Sequence, residues 1–345
     1  MKRQLSVSMK QIAEEAGVSM MTVSRALRNE SNVSAKTDAR IHEIADRLGY
    51  KTNRLVRGMQ SGRSGIISVV MPAGHAIAPS ILEGAYDFFH EKDMIMALDL
   101  VHGNLGDKAF EEQSKLINRL LETRVDGILL LPVNEDASPM YFKEVVDRQI
   151  PLVLVDRNTT HFTTDFVGAD DLAGGREAAR ILAENGCKKV VLISTGDFVS
   201  TSRLRGKGFI EALPKYGMEL ATHIKAPNFT HNAELIDREL GQHQGQFDGI
   251  FAIADRLGIS AWHSCQHLNL SIPDEVKIIG FGALNLRDPR VALSSFDQEP
   301  YAVGRNAAKL LWERIEAGST SGPIKPQTVL NTPRFVEGTT CPSVD

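Results

Sequence analysis

The chain has 345 residues, enough for two or three domains, and its 42% hydrophobic and 24% charged content fits an ordinary folded globular protein rather than a disordered one. No run of 18 or more apolar residues occurs and the N-terminus lacks an apolar signal core, so neither a membrane span nor a secretory leader is expected. The net charge of −4 conceals an asymmetry: residues 1–60 hold eleven Lys and Arg against six Asp and Glu, which leaves 28 of the 39 basic residues against 37 of the 43 acidic ones for the remainder. A basic head on an acidic body calls for a polyanionic partner at the head alone. Cys187, Cys265 and Cys341 are odd in number, far apart and not in metal spacing, so reduced thiols, a cytoplasmic location and no metal or cofactor are expected.

The first elements are three short helices. Ser8 and Gln11 fit a capping box, Ile12, Ala13 and Ala16 recur on one helical face, and Gly17 stands where a left-handed residue ends the helix. Ser19 can cap a second helix with Val23, Ala26 and Leu27 inward. A third runs from an N-cap at Ser34, through the stripe Ile41, Ile44, Ala45 and Leu48, to a stop at Gly49. Two short helices joined at a glycine describe a helix-turn-helix, whose second helix enters the major groove. That helix turns Met20, Met21, Thr22, Ser24, Arg25 and Arg28 outward, and Arg25 has the fork geometry to grip a guanine. The plainer alternative is a three-helix bundle that binds protein.

Ala13-x-x-Ala16-Gly17-Val18-Ser19 with Thr22-Val23-Ser24-Arg25, then Val33-Ser34-Ala35-Lys36-Thr37, Leu48-Gly49-Tyr50 and Asn53-Arg54, resembles the headpiece of the lac repressor/galactose repressor family. The resemblance extends over the length and layout of the whole chain. It implies DNA contacts at Ser8, Met9, Asn32, Ser34, Asn53 and Arg54 besides the outward face. It also implies a hinge within 50–64 that becomes helical only on DNA, with Met59 as the apolar wedge in the minor groove. Relatives usually carry proline where Thr52 stands, and Gly58 disfavours a helix by roughly 1 kcal/mol against alanine. Both departures make hinge folding harder. A plain unstructured linker is the alternative.

Beyond Gly65 the pattern changes to short apolar runs, the mark of strands buried on both faces. They lie at Ile66–Met71, Met94–Leu100, Gly127–Leu131, Leu152–Val155, Val190–Ile193, Gly249–Ala254 and Val276–Phe281. Helical stretches such as Phe110–Leu121, Leu172–Ala183 and Ala233–Leu240 alternate with them. Alternating strands and helices give doubly wound parallel sheets. An internal echo, Val125-Asp126-Gly127-Ile128 against Phe247-Asp248-Gly249-Ile250, points to two similar α/β lobes. The expected division is therefore an all-α headpiece (1–49), a hinge (50–64) and a two-lobed, periplasmic-binding-protein-like effector and dimerisation domain (65–345). Within it, lobe 1 takes about 65–166 plus 298–325 and lobe 2 about 167–296 plus 326–345. The resemblance adds that helix Tyr301–Glu316 returns to the first lobe and the last strands to the second.

Ligands of open parallel sheets sit beyond the carboxyl ends of the strands, which here face each other across the lobes. The strand ends nominate His75, Ala76, Ile77, Ser80, Asp156, Thr201, Arg205, Asp255, Arg256, Gly282 and Gln298. By resemblance, Arg205 matches the arginine that grips the effector, Thr201 a nearby hydroxyl and Asp156 a polar contact of the first lobe. Sugar-binding relatives usually have Asn at Ala254 and Asp at Gly282. With both absent and Arg256 beside Arg205, the pocket leans toward a sugar acid or sugar phosphate over a neutral sugar.

Other signals carry no chemistry. His42-Glu43 begins a zinc-protease pattern, but Asp46 stands at the second ligand's place. Gly206-Lys207-Gly208 lacks the preceding glycine of a phosphate loop, Gly62-Arg63-Ser64-Gly65 is not a nucleophile elbow, and Asp170-Asp171 reads as a helix cap. The expectation is a homodimeric, sequence-specific transcription factor, most simply a repressor, that binds an inverted-repeat operator in double-stranded DNA. A carbohydrate-like effector, neutral or acidic, modulates it, and it is not an enzyme. The rivals are a transporter's solute-binding protein, which needs an export signal and no basic head, and a nucleotide-using α/β enzyme, which needs a glycine-rich phosphate loop.

Overall fold

In the computed structural model, described for residues 7–27, 32–50, 63–102, 107–133, 144–145, 147–160, 162–195, 199–227, 232–284, 291–318 and 325–343, the chain divides into two compact units, Met1–Ser64 and Gly65–Asp345. The first holds α1 (Met9–Ala16), α2 (Met20–Ala26) and α3 (Ala35–Leu48). Their ends are written in local chemistry. The Ser8 amide donates to Gln11 Oε1 at 2.8 Å, and Ser19 and Ser34 each accept the amide three residues on. Gly17 and Gly49 close α1 and α3 at φ +68° and +69°, a conformation that costs other residues. Ile12, Val23, Ala26 and Ile41 are fully buried at the centre, and Glu15 pairs with Arg47 across α1 and α3.

The second unit has two sheets. The first is six-stranded and parallel, ordered β11 (Thr328–Asn331), β5 (Asp165–Ala169), β4 (Leu152–Val155), β3 (Gly127–Leu130), β1 (Ile66–Pro72), β2 (Ile95–Val101). One face packs on α4 (Ala78–Glu91) and α10 (Pro300–Ala317), the other on α5 (Asp107–Glu122). A Cβ on Gly84 would lie 2.0 Å from the Tyr301 carbonyl oxygen and one on Gly304 1.9 Å from that of Ile81, so α4 and α10 touch backbone to backbone. The crossover helix thus belongs to the first lobe.

The second sheet is parallel in the order β7 (Glu219–Lys225), β6 (Lys189–Ser194), β8 (Gly249–Ala252), β9 (Lys277–Ile279). Helices α6 (Asp171–Glu184), α7 (Ser200–Ala212), α8 (Ala233–Gln242) and α9 (Asp255–His267) belong to this lobe, and a small antiparallel pair joins β10 (Ser295–Asp297) to β12 (Arg334–Val336). The internal echo has a shared role: Asp126 accepts the Gly65 amide at the start of β1, and Asp248 accepts those of Lys188 and Lys189 at the start of β6.

Two expectations on lobe boundaries are corrected. The first sheet continues through Ala169, past the expected limit at 166, and Thr328–Asn331 joins that sheet instead of the second lobe. Strand β5 is buried along its whole length, so its outer edge needs a hydrogen-bond partner, and β11 supplies it. Asp165 anchors the return by accepting two bonds from Arg314, at 2.6 and 2.7 Å, and the Gln327 amide at 2.7 Å. Of the last two strands Arg334–Val336 alone joins the second lobe, and Thr340 and Cys341 follow it there, Thr340 bonding to Ile278 and Cys341 entering the core. Strands β5 and β7 also escaped the sequence reading; β7 is half-exposed and carries no continuous apolar run.

Candidate functional sites: a nucleic-acid-binding face and an interlobe cleft

On α2 the buried Val23 and Ala26 fix the rotation of the helix, and Met20, Met21 and Arg25 therefore face solvent, the two methionines 55% and 63% exposed. Large apolar side chains left so open on a seven-residue helix suit thymine methyls and sugar edges better than water. Thr22 and Ser24 are half-buried, and the Thr22 hydroxyl lies 2.9 Å from Ser19 Oγ, inside the cap. Met9 is half-buried, while Ser8, Asn32 and Ser34 are exposed near the helix starts. Arg28, Asn53, Arg54 and Met59, with most of the expected hinge, lie outside the described residues.

In the second unit a cleft of about 540 Å³, its open mouth included, lies between the lobes. The first lobe contributes Gly74, His75, Ala76 and Ile77 after β1, and Asp156 and Arg157 after β4. The second contributes Thr201 and Arg205 from α7, Ala254 and Arg256 at the start of α9, and Phe281, Gly282 and Leu284 after β9; Gln298 comes from the crossover. Of the expected residues, His75, Ala76, Ile77, Asp156, Thr201, Arg205, Arg256, Gly282 and Gln298 meet here. Ser80 and Asp255 do not line the cleft. Ser80 lies a few residues inside α4, past the strand end. Asp255 is buried, accepting from Ser295 Oγ and, at 2.6 Å, from the Leu284 amide. It braces the start of α9 from behind, and burial pushes its carboxyl up to about 6.

Arg205 is the centre of the arrangement. Its Nε donates to Asp171 Oδ1 at 2.7 Å, Nη1 to the Ile253 carbonyl at 2.9 Å and Nη2 to Gln298 Oε1 at 3.0 Å, with the guanidinium 3.8 Å above the Phe281 ring. The flat group is held on three sides and on one face, and two of its five N–H donors remain for a ligand. Close helix packing makes the pair with Asp171 possible. A Cβ on Gly175 would fall 2.1 Å from the Arg205 carbonyl oxygen and one on Gly208 2.1 Å from that of Leu172, so α6 and α7 also meet backbone to backbone. Asp171 was read as part of a helix cap, a role that Asp170 alone fills by accepting the Ala173 amide. Burial pushes Asp171 up to about 7 against the opposing pull of Arg205.

On the facing wall Asp156 holds φ +64°, a left-handed geometry that short polar residues tolerate and that recurs at binding sites. Burial raises its carboxyl, opposed by Arg157 and Arg205, and lowers Arg157 to about 10. Burial and then Arg157, Arg205 and Arg256 hold His75 well below the ordinary imidazole range. The ring is neutral, so its Nε2 contact with Asp156 Oδ2, at 3.4 Å, is not an ion pair. Planar donors, a carboxylate, an amide and the Phe281 ring suit a small polyhydroxylated ligand. Among the described residues no group of His, Cys, Asp and Glu is set to hold a metal, and the three cysteines are buried and free, their thiols pushed up to about 12 by burial.

A helix-turn-helix unit with an open reading face, followed by a two-lobed unit with a polar interlobe cleft, defines a DNA-binding transcriptional regulator with a built-in small-molecule sensor. Residues 8–53 match bacterial regulatory proteins of the lacI family and residues 179–341 match a periplasmic binding protein-like domain, so the chain joins a LacI-type helix-turn-helix region to a periplasmic-binding-like sensor. It is 28% identical over 309 residues to the ribose operon repressor of Lactococcus lactis subsp. lactis (strain IL1403), covering 89% of this chain and 90% of that one. Among solved structures, the lac repressor dimer bound to operator and the anti-inducer ONPF superposes with TM-score 0.82 at 18% identity, covering 97% of this chain and 99% of that one. The transcriptional regulator CelR–cellobiose complex superposes with TM-score 0.69 at 22% identity, with the same coverage. Among the described residues no helix is long and apolar enough to cross a membrane.

Proposed function

We propose that the protein is a cytoplasmic repressor, without enzymatic activity, that binds an inverted-repeat operator as a homodimer and changes its operator affinity when a carbohydrate-class effector enters the cleft. The observation that carries this reading is Arg205, clamped by Asp171, Ile253 and Gln298 and stacked on Phe281, with donors left over for vicinal hydroxyls. The names of the similar proteins, a ribose operon repressor and a regulator in complex with cellobiose, agree with it. On the DNA side, Met20, Met21 and Arg25 of α2 are the proposed base-reading face, with phosphate contacts from the surrounding basic residues. Twofold symmetry of the protein matches the inverted repeat. Edge strand β2 leaves Ile95, Leu98 and Leu100 43–47% exposed, an apolar edge that a second copy would cover.

Closure of the lobes is the step that couples ligand to DNA. The Asn158 amide of the first lobe already donates to Ser200 Oγ at the start of α7 of the second, at 2.9 Å. A ligand held by both walls adds to that contact, and the usual coupling is about 1–3 kcal/mol. Selection of genomic fragments by the full chain tests the reading. An inverted repeat should be recovered, with affinity that falls steeply with salt and shifts when a sugar is added. Failure to retain any duplex in dilute buffer, with and without candidate sugars, overturns it.

A further inference from the structure

The polar groups of the cleft are unevenly matched. Arg205 is neutralised by Asp171, and the buried Arg157 has Asp156 within 4.0 Å of its Nε. Arg256, exposed at the lip on the second lobe, has no hydrogen-bond or ion-pair partner for its side chain among the described residues. It is close enough to the first lobe to depress His75, so its charge reaches across the cleft. The corner beside it is lined by small residues, Ala254 and Gly282. Ala254 is the N-cap of α9 and makes no side-chain cap; the Asp255 and Leu257 amides donate to the Phe281 and Ala254 carbonyls, which leaves the Arg256 amide open among the described residues, and Gly282 has no side chain at all. The Asp255 carboxylate, whose Oδ2 lies 3.5 Å from where a Gly282 Cβ would stand, is engaged by Ser295 Oγ and the Leu284 amide.

At the opposite end the groups suit hydroxyls: Asp156, the spare donors of Arg205, and the buried His75 Nδ1, which has no partner among the described residues and accepts when Nε2 carries the proton toward Asp156. A neutral ligand would leave Arg256 unanswered. A ligand with an acidic group would satisfy it, reach the corner lined by Ala254 and Gly282 and tie the two lobes together through one molecule.

We infer that the effector is a sugar bearing an acidic group, a carboxylate or a phosphate, and that Arg256 at the uncapped start of α9 holds that group while the Asp156–Arg205 end holds the hydroxyls. The inference rests on the sugar-sensor reading above and narrows it. Its test is calorimetric titration of the full chain with two sets of probes: glucose, gluconate and glucose 6-phosphate, and ribose, ribonate and ribose 5-phosphate.

In at least one set an acidic member should bind about tenfold or more tighter than its neutral parent, the size of effect that one well-placed charged hydrogen bond supplies. Arg256→Met should bring that member to within about threefold of the parent, and Arg256→Lys, which keeps the charge, should restore most of the preference. The tighter member of the set says whether the group is a carboxylate or a phosphate. Equal or tighter binding of the neutral parents overturns the acidic assignment and leaves the sugar-sensor reading intact. A preference that survives Arg256→Met overturns the role of Arg256. Binding of no member, with thermal melting showing a folded protein, overturns both.

Discussion

Replacing Arg205 by methionine keeps the length of the stem and removes the guanidinium from its buried seat between the lobes. The Asp171 carboxylate then loses its counter-ion, and the Ile253 carbonyl and Gln298 Oε1 each lose a donor. Breaking a buried ion pair from one side costs about 3–5 kcal/mol, because a charge is left without compensation. Against a typical domain stability of about 5–15 kcal/mol the variant should still fold, with a melting temperature lower by about 6–20 °C at the usual 2–4 °C per kcal/mol. The loss should depend on pH. Burial already lifts Asp171 to about 7 while Arg205 pulls it down, so without Arg205 the carboxyl rises further. A carboxyl whose folded pKa is raised stabilises the fold while protonated and loses that contribution as pH rises through the folded value. The variant should therefore be closest to wild type near pH 6 and furthest from it near pH 8. Adding Asp171→Leu removes the orphaned charge and should recover a substantial part of the loss. Urea unfolding of the full chain and the three variants (Arg205→Met, Asp171→Leu and the pair) at both pH values measures this. A loss under about 1 kcal/mol at pH 8, or a double variant as unstable as the two single losses added together, would refute the pairing argument.

Further outcomes follow from the same geometry. In the unaltered protein, protonated Asp171, pushed up to about 7, and Asp255, pushed up to about 6, stabilise the fold below those values, whereas His75, held neutral in the fold, works the other way while the unfolded imidazole still carries a proton. Stability should accordingly fall by about 0.5 kcal/mol between pH 6.5 and 8, and Asp171→Asn should abolish that fall in thermal melts. Gly175→Ala should force α6 off α7, since the new Cβ falls 2.1 Å from the Arg205 carbonyl oxygen. An overpacking cost of about 1–3 kcal/mol should appear in unfolding together with weakened sugar binding. On the DNA side, Arg25→Ala should cost about 1–3 kcal/mol of operator affinity and relax the choice at one base pair, read by fluorescence anisotropy on single-base operator variants. An unchanged operator profile would count against α2 as the reading helix.

The elements that could be read without coordinates are those whose causes lie within a few residues. Ser8 with Gln11, Ser19, Ser34, Gly17 and Gly49 set the helix ends of the first unit through contacts between near neighbours, so their spacing was sufficient. The long apolar runs at β1, β3, β4, β6 and β8 were legible because strands buried on both faces have no room for polar alternation. Arrangement was another matter. Arg205 finds Asp171 34 positions earlier and Gln298 93 positions later, and nothing local distinguishes that aspartate from its neighbour Asp170, which merely caps the helix. The return of Thr328–Asn331 to the first sheet follows from an unmet ladder edge on β5, a need that exists only once the other strands have been laid side by side. Hydrogen bonds closed over one helical turn are properties of sequence. Desolvation of a charge and completion of a sheet edge are properties of whatever the folded chain brings against them, and they created this protein's buried cleft.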